Sequence, residues 1–496
     1  MKIRVWLVGV VCWALHFPAM AAPIGEDGAR HLLNRASFAA TDKDIRAFAT
    51  LSREDAAARL IGGVRLSAQT LPPAWVNDSP IPPGKLQAMS QEERQAELRK
   101  NVEHAFELRE WWFKEMLTTP TPLTEKMTLF WHNHFATSQQ KVRFTPLMYK
   151  QNVMLRRNAL GNFGTMLREV ARDPAMLIYL DGANSRKEQP NENFAREVME
   201  LFTLGEGHYT EKDIKEAARA FTGWSVDREN GEFMFRRGIH DYGRKSLLGR
   251  SGTFDGDQVI DILLSKPETA EFITRKLMRE FVTPQPAEQD VQRFAARFRE
   301  SGYDIAKLMQ AMLSSELFYA MDHRGALIKS PVEFVVGTLK QFEIDAPNLR
   351  PFVLASALLG QNVFSPPNVK GWPGGEHWIN SASLLGRKQF IDRLFRNEDR
   401  MESTMRSLDE AAAITGGTPI PGREARMQRQ MERQMGGIRW NLDKWADAAA
   451  GEKNTAGAER LTQLVLAIAP QSDLPTNAKP ADWARQLVAD PAYQLK

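Results

Sequence analysis

Residues Leu129 to Ser138 read LFWHNHFATS, with His132 and His134 on either side of an asparagine inside an aromatic run. Two imidazoles can ligate a metal ion or work as acid and base if both reach one point. On a regular α-helix, residues two apart diverge by about 200°, so a shared ion requires the chain to unwind near Trp131. On an extended segment the two would share a face. The structural alternative packs His134 beside Phe130 and Trp131 and leaves His132 to cap a helix end. Spacing leaves both readings open.

A second constellation lies in NENFAREVMELF, where Asn193, Glu197 and Glu200 fall at i, i+4 and i+7, overlapped by Glu192, Arg196 and Glu200. Carboxylates one turn apart suit metal ligation or acid–base work in a cleft, and an ordinary salt-bridged stripe if they face solvent. A third is HDYGRKSLLG, in which His240 offers a ligand, Asp241 an orienting carboxylate and Lys245 an anion contact or a solvated charge. The fourth is NVFSPPNVKGWPGGEHWINS, Asn362 to Ser381, a proline- and glycine-rich loop carrying Lys370, Trp372 and Trp378. The tryptophans would either stack on a sugar ring or fasten the loop to the body. Finally, Met427, Met431 and Met435 repeat one turn apart, as a thioether stripe for Cu(I) or as a flexible apolar helix face.

Helices must position these groups, because 3.6-residue periodicity dominates the chain. In QEERQAELRKNVEHAFELREWWFKEML, Leu98, Val102, Ala105, Trp112 and Met116 share one face. PLTEKMTLFWHNHF is the next helix, entered after Pro120 and Pro122. PNENFAREVMELFTLGEG opens near Asn191 and stops at Gly205 and Gly207, and YTEKDIKEAARAFTGW starts at Thr210 and ends at Gly223. Further helical patterns cover roughly 256–282, 287–320, 329–342, 349–359 and 379–396, and GEFMFR is the best strand, as one arm of a short hairpin. The expected fold is mainly α, a multi-helix globule with at most a short β-hairpin and one long Pro/Gly loop. The main helical domain spans 22–396 and a Met-, Arg- and Ala-rich helical extension spans 397–496, with GGTPIPG as connector.

The first residues, MKIRVWLVGVVCWALHFPAMA, have the layout of a cleaved secretory signal ending at Ala21. Export to the periplasm or beyond the cell is therefore expected, by the general route because no twin arginine precedes the apolar run. Removing Lys2 and Arg4 lowers the net charge from +4 to +2 and removes Cys12, the only cysteine. No disulfide or thiolate site can then form. A near-neutral exported chain points away from nucleic acid, and no later apolar run is long enough to span a bilayer.

The motifs PLTEKMTLFWHNHF, NENFAREVMELFTLGEGHYTEKDIKEAARAFTGW, HDYGRKSLLG, SPVEF and PPNVKGWPGG-x-x-WINSASLLGR, preceded by HLLNRASF at His31 to Phe38, occur in an order that resembles the exported bacterial proteins of the domain of unknown function 1800 family. The resemblance runs from about residue 28 to 395 and is weak beyond. It implies export and a helical fold but no reaction. Carried over position by position, it marks His31, His132, His134, Asn193, Glu197, Glu200, His240 and Asp241, and leaves out His208, His323 and His377. It also implies an exported sulfatase-like partner protein and a shared task on polymers.

Taken together, the motifs and the resemblance lead to an exported metal-dependent enzyme. His132, His134, Glu197 and His240 would bind a divalent zinc, iron, manganese or copper ion in one cleft. Glu200 would be the base, with Asp241 orienting and Arg196 or Lys245 stabilising negative charge. Hydrolysis is the default reaction, and oxidative iron or copper chemistry would use the same ligands. The rival is a non-catalytic envelope scaffold whose polar residues form a buried network and whose Trp372–Trp378 loop captures a polysaccharide or a partner.

Overall fold

Small polar residues and prolines decide where the helices begin. Ser90, Thr210 and Ser330 each close a capping box with the acidic residue three positions on, which satisfies N–H groups that a first turn leaves open. Pro122, Pro267 and Pro331 sit in first turns, where a missing N–H costs nothing. The computed structural model describes residues 22–396, 438, 440–475 and 477–496. The signal segment, the GGTPIPG connector and the Met427–Met435 stripe lie outside the described residues.

The fold is mainly α. The strands among the described residues form two antiparallel hairpins, Trp224–Val226 with Phe233–Phe235 and Lys245–Leu247 with Arg250–Gly252. The expected GEFMFR strand is thus found with its partner, and a second small hairpin lies inside HDYGRKSLLG and the residues after it, where polar composition hid it. Two expected helical stretches are interrupted. The 256–282 pattern splits into Gly256–Leu264 and Pro267–Phe281, because a proline cannot continue the first helix. The 287–320 pattern splits into Glu288–Glu300, Ile305–Leu313 and Glu316–Tyr319, with Gly302 (φ +71°) at the first break.

The Gln91–Thr118 helix corrects one predicted face. Trp112 and Met116 are fully buried, but Leu98 and Val102 are 65% and 48% exposed. The first turns project past the packed body, where periodicity has nothing to face. The Pro122–His134 helix is the opposite case, buried on almost every side and packed against Thr145–Arg157. Its polar residues are held by partners. Glu125 takes two hydrogen bonds from Arg156, at 2.6 and 2.8 Å, and one from the Trp112 indole at 2.7 Å. Lys126 and Lys496 both ion-pair with Glu333 of the Pro331–Gln341 helix. Buried charges persist only when matched in this way.

Residues beyond the connector rejoin the body. Ile328 bridges Leu495, the Lys329 N–H donates to the Gln494 carbonyl at 2.8 Å, and the Tyr493 and Thr338 hydroxyls lie 2.9 Å apart. The Leu442–Ala450, Thr455–Val465 and Pro480–Ala489 helices pack on one another, and the last also contacts Ser381–Arg396.

Candidate functional site

The Pro122–His134 helix stays helical through His134, so the unwinding that a two-histidine chelate requires does not occur. Three successive side chains at its end leave in directions about 100° apart and grip different segments. His132 Nε2 accepts the Phe364 N–H at 2.9 Å, with the ring lying among Trp112, Phe364 and Trp372. Asn133 pairs with both backbone groups of Trp372, its Oδ1 accepting the N–H at 2.7 Å and its Nδ2 donating to the carbonyl at 3.2 Å. His134 Nε2 donates to the Phe202 carbonyl at 3.3 Å.

The His132 and Asn133 bonds fix the 362–381 loop. Arg109 adds a third grip, donating to Asn362 Oδ1 at 2.9 Å and Ser365 Oγ at 3.0 Å. Phe364 is held at φ +64°, an unfavourable region for a bulky residue, with its N–H on His132 and its carbonyl accepting the Gln139 N–H. Gly371 lies at φ +79°, and a Cβ there would collide with Asn133. Trp372 and Trp378 are 5% and 8% exposed. Of the two readings the sequence leaves open for these rings, sugar stacking and loop fastening, their burial favours fastening.

Both histidines are neutral. Burial and then the Arg109 guanidinium push His132 down to about 3. Burial and then Lys276 hold His134 well below the ordinary imidazole range. Among the described residues His134 Nδ1 has no hydrogen-bond partner, and its ring is surrounded by a shell that includes Phe130, Phe135 and Phe202.

The carboxylates lie where His134 reaches. Asn191 caps the Glu192–Met199 helix, accepting the Phe194 N–H at 2.8 Å, and at Glu200 the helix widens into a π-turn that runs to Leu204 and stops at Gly205, φ +81°. A π-turn displaces carbonyls from their usual donors. Here the Thr203 hydroxyl serves those of Val198 and Met199, and His134 serves that of Phe202.

Glu197 is 8% exposed and has no hydrogen-bond partner among the described residues. Burial, and then the neighbouring Glu200, raise its pKa above the ordinary carboxyl range. Glu200 accepts a hydrogen bond from the Tyr209 hydroxyl, which burial and that carboxylate push up. Lys370 bridges from the loop to Glu206 at 3.0 Å, its pKa raised first by Glu206 and also by Glu200 and Glu197. The Tyr179 hydroxyl also feels Glu197, its pKa raised by burial and then by that carboxylate. Arg196 is turned outward into a two-point pair with Glu211, at 2.7 and 2.8 Å.

The HDYGRK segment forms a separate network. His240 Nδ1 donates to the Thr222 carbonyl at 2.7 Å, with Phe235 and Tyr242 edge-on to its ring. Asp241 pairs with Arg219 Nε at 2.7 Å, which holds its carboxyl below the usual range. Lys245 donates to the carbonyls of Asp241 and Gly243, and burial lowers its pKa. Asp241 and Lys245 thus brace the turn beneath His240.

The structure therefore brings Glu197, Glu200 and Lys370 together and keeps His132, His134, His240, Asp241 and Lys245 in other networks. Among the described residues no group of three or more His, Cys, Asp or Glu side chains is placed to hold a metal ion. The expected ligand set is dispersed because each imidazole is already committed to a backbone partner. Sequence reasoning missed Asn133, Arg109, Tyr179 and Tyr209. Only Asn133 carried a signal, since a polar residue amid buried aromatics must find partners of its own.

No curated protein and no solved structure matches the chain. One family, described as Protein of unknown function (DUF1800), matches residues 31–495. That match runs past residue 395 into the helices that rejoin the body. On this extent of agreement, the chain belongs to the DUF1800 family.

Proposed function

We propose that the protein is an acid–base hydrolase of the cell envelope acting on a polysaccharide, with Glu197 and Glu200 as the working carboxyl pair. The observation that carries the reading is the unpartnered, nearly buried Glu197 carboxyl beside a Glu200 that Tyr209 already binds. Two carboxyls in unlike surroundings divide the labour of hydrolysis. Glu197, which keeps its proton to higher pH, serves as general acid, and Glu200 as base or nucleophile. Lys370 and Tyr179 are both near enough to couple electrostatically to Glu197, and Lys370 is carried by the clamped 362–381 loop. Cleavage would place the leaving-group oxygen at Glu197 and the attacking water or carboxylate at Glu200.

The test is turnover of a panel of neutral and acidic polysaccharides, read as new reducing ends. Glu197→Gln and Glu200→Gln should each lower the rate about 100-fold or more. Turnover unaffected by either substitution would overturn the reading. A binding role is the second reading, favoured by exposed Phe235 and Tyr242 (40% and 62%) flanking His240. It predicts capture of the same polymers without cleavage, lost in Tyr242→Ala.

A further inference from the structure

A cavity of about 450 Å³ opens between the Trp224–Val226 hairpin and the Pro174–Tyr179 helix, within the size range of small-ligand sites. Its walls include Phe144, Leu147, Ile178 and Val226, which give it an apolar floor. Its charged lining is uneven. Lys141 and Asp181 neutralise each other at 2.7 Å, and Asp227 turns one carboxylate oxygen to the Glu229 N–H at 2.9 Å. Arg228 and Arg236 also line the cavity, and neither guanidinium has a hydrogen bond or ion pair among the described residues.

With Lys141, Arg228 and Arg236 set against Asp181 and Asp227, the lining carries one more positive than negative charge, which favours an anion. The planar donor forks of the two arginines match the oxygens of a carboxylate, sulfate or phosphate. Asp181 holds the lip at φ +59°, a conformation unusual outside glycine, and its pairing with Lys141 keeps that ammonium from competing for the anion. The apolar part of the lining, Phe144, Leu147, Ile178 and Val226, selects a ligand with a hydrophobic body rather than a bare ion.

We propose that this cavity binds a small ligand bearing one anionic group on an apolar ring or chain, with Arg228 and Arg236 holding the anion. The site is independent of the carboxyl pair, so it stands or falls separately from the hydrolase reading. The experiment is a fluorescence titration of the purified chain with 8-anilinonaphthalene-1-sulfonate, beside neutral N-phenyl-1-naphthylamine, which has the same rings. The sulfonate should bind saturably and weaken about tenfold or more in Arg228→Ala/Arg236→Ala, while the neutral probe keeps its affinity. Both arginines are exposed, so the variant should keep its circular dichroism spectrum.

Displacement of the sulfonate by benzoate alone assigns a carboxylate ligand, and displacement by phenyl phosphate alone assigns a phosphate. Displacement by both assigns any such anion. No saturable binding, equal weakening of both probes in the variant, unchanged sulfonate affinity, or displacement by neither competitor would overturn the proposal.

Discussion

The end of the Pro122–His134 helix and the π-turn at Glu200–Leu204 are both polar islands in apolar surroundings, joined by the His134 to Phe202 bond. They differ in what is left over. His132 Nε2 and both amide atoms of Asn133 are spent on backbone groups of the loop, and the leftover His134 Nδ1 belongs to a ring that burial keeps neutral, whereas Glu197 keeps a carboxyl without a hydrogen-bond partner among the described residues and with its proton affinity raised. Buried polar groups with every bond made hold a fold in one arrangement. A nearly buried one with a bond to spare is where chemistry is to be sought.

The contrast is broken most forcefully at the loop. Gly371→Ala drives a Cβ into Asn133 at a positive φ, and should cost about 3 kcal/mol or more in urea unfolding. If the variant kept wild-type stability, the clamp would not be what secures Trp372. His132→Ala removes the acceptor of a buried N–H and leaves a void, for an expected loss of about 2–4 kcal/mol.

The same residue shapes the acid limb. Folded His132 stays neutral down to about 3 while the unfolded imidazole takes up a proton near its ordinary 6.5. Folding therefore loses stability as pH falls through that window, by up to about 1.4 kcal/mol per pH unit. His132→Ala should make this limb shallower in melts between those pH values, with His31 and His134 still contributing to the remainder. An unchanged slope would mean that His132 is protonated in the folded state.

Glu197→Gln should act with the opposite sign. The folded carboxyl holds its proton to higher pH than the unfolded one, so its ionisation costs stability as pH rises above the ordinary carboxyl range. The substitution should raise Tm at neutral pH and change nothing near about pH 3, where both states are protonated. A lower Tm at neutral pH would mean that the carboxylate has a stabilising partner. The smallest effect belongs to Lys370→Ala. Its pair with Glu206 is open to solvent, so the chemical denaturation midpoint should not move resolvably.

Helix positions were legible because capping residues and prolines act locally: Thr210 and Asn191 start helices where sequence placed them, and Pro331–Gln341 lies within the expected 329–342. The divergence of His132 and His134 was legible too, since it follows from helical geometry once the helix continues to its end. What the residues face was not. Nothing in WHNHF names Phe364, Trp372 or Phe202 as its partners, because those contacts join segments far apart in sequence. Tyr209 likewise meets Glu200 only because Gly205 and Gly207, both at positive φ, bend the chain back between them. The π-turn itself leaves no compositional trace, since ELFTL suits an α-helix equally well.

The π-turn is in effect one surplus residue wound into a helix. Deleting a residue between Leu201 and Leu204 would restore ordinary winding, but it would rotate everything after the deletion by about 100° relative to Glu197. The Phe202 carbonyl would swing away from His134 and Tyr209 away from Glu200. The extra residue is thus a phase shifter, setting the angle at which the helix bearing one carboxyl meets the segment that binds the other.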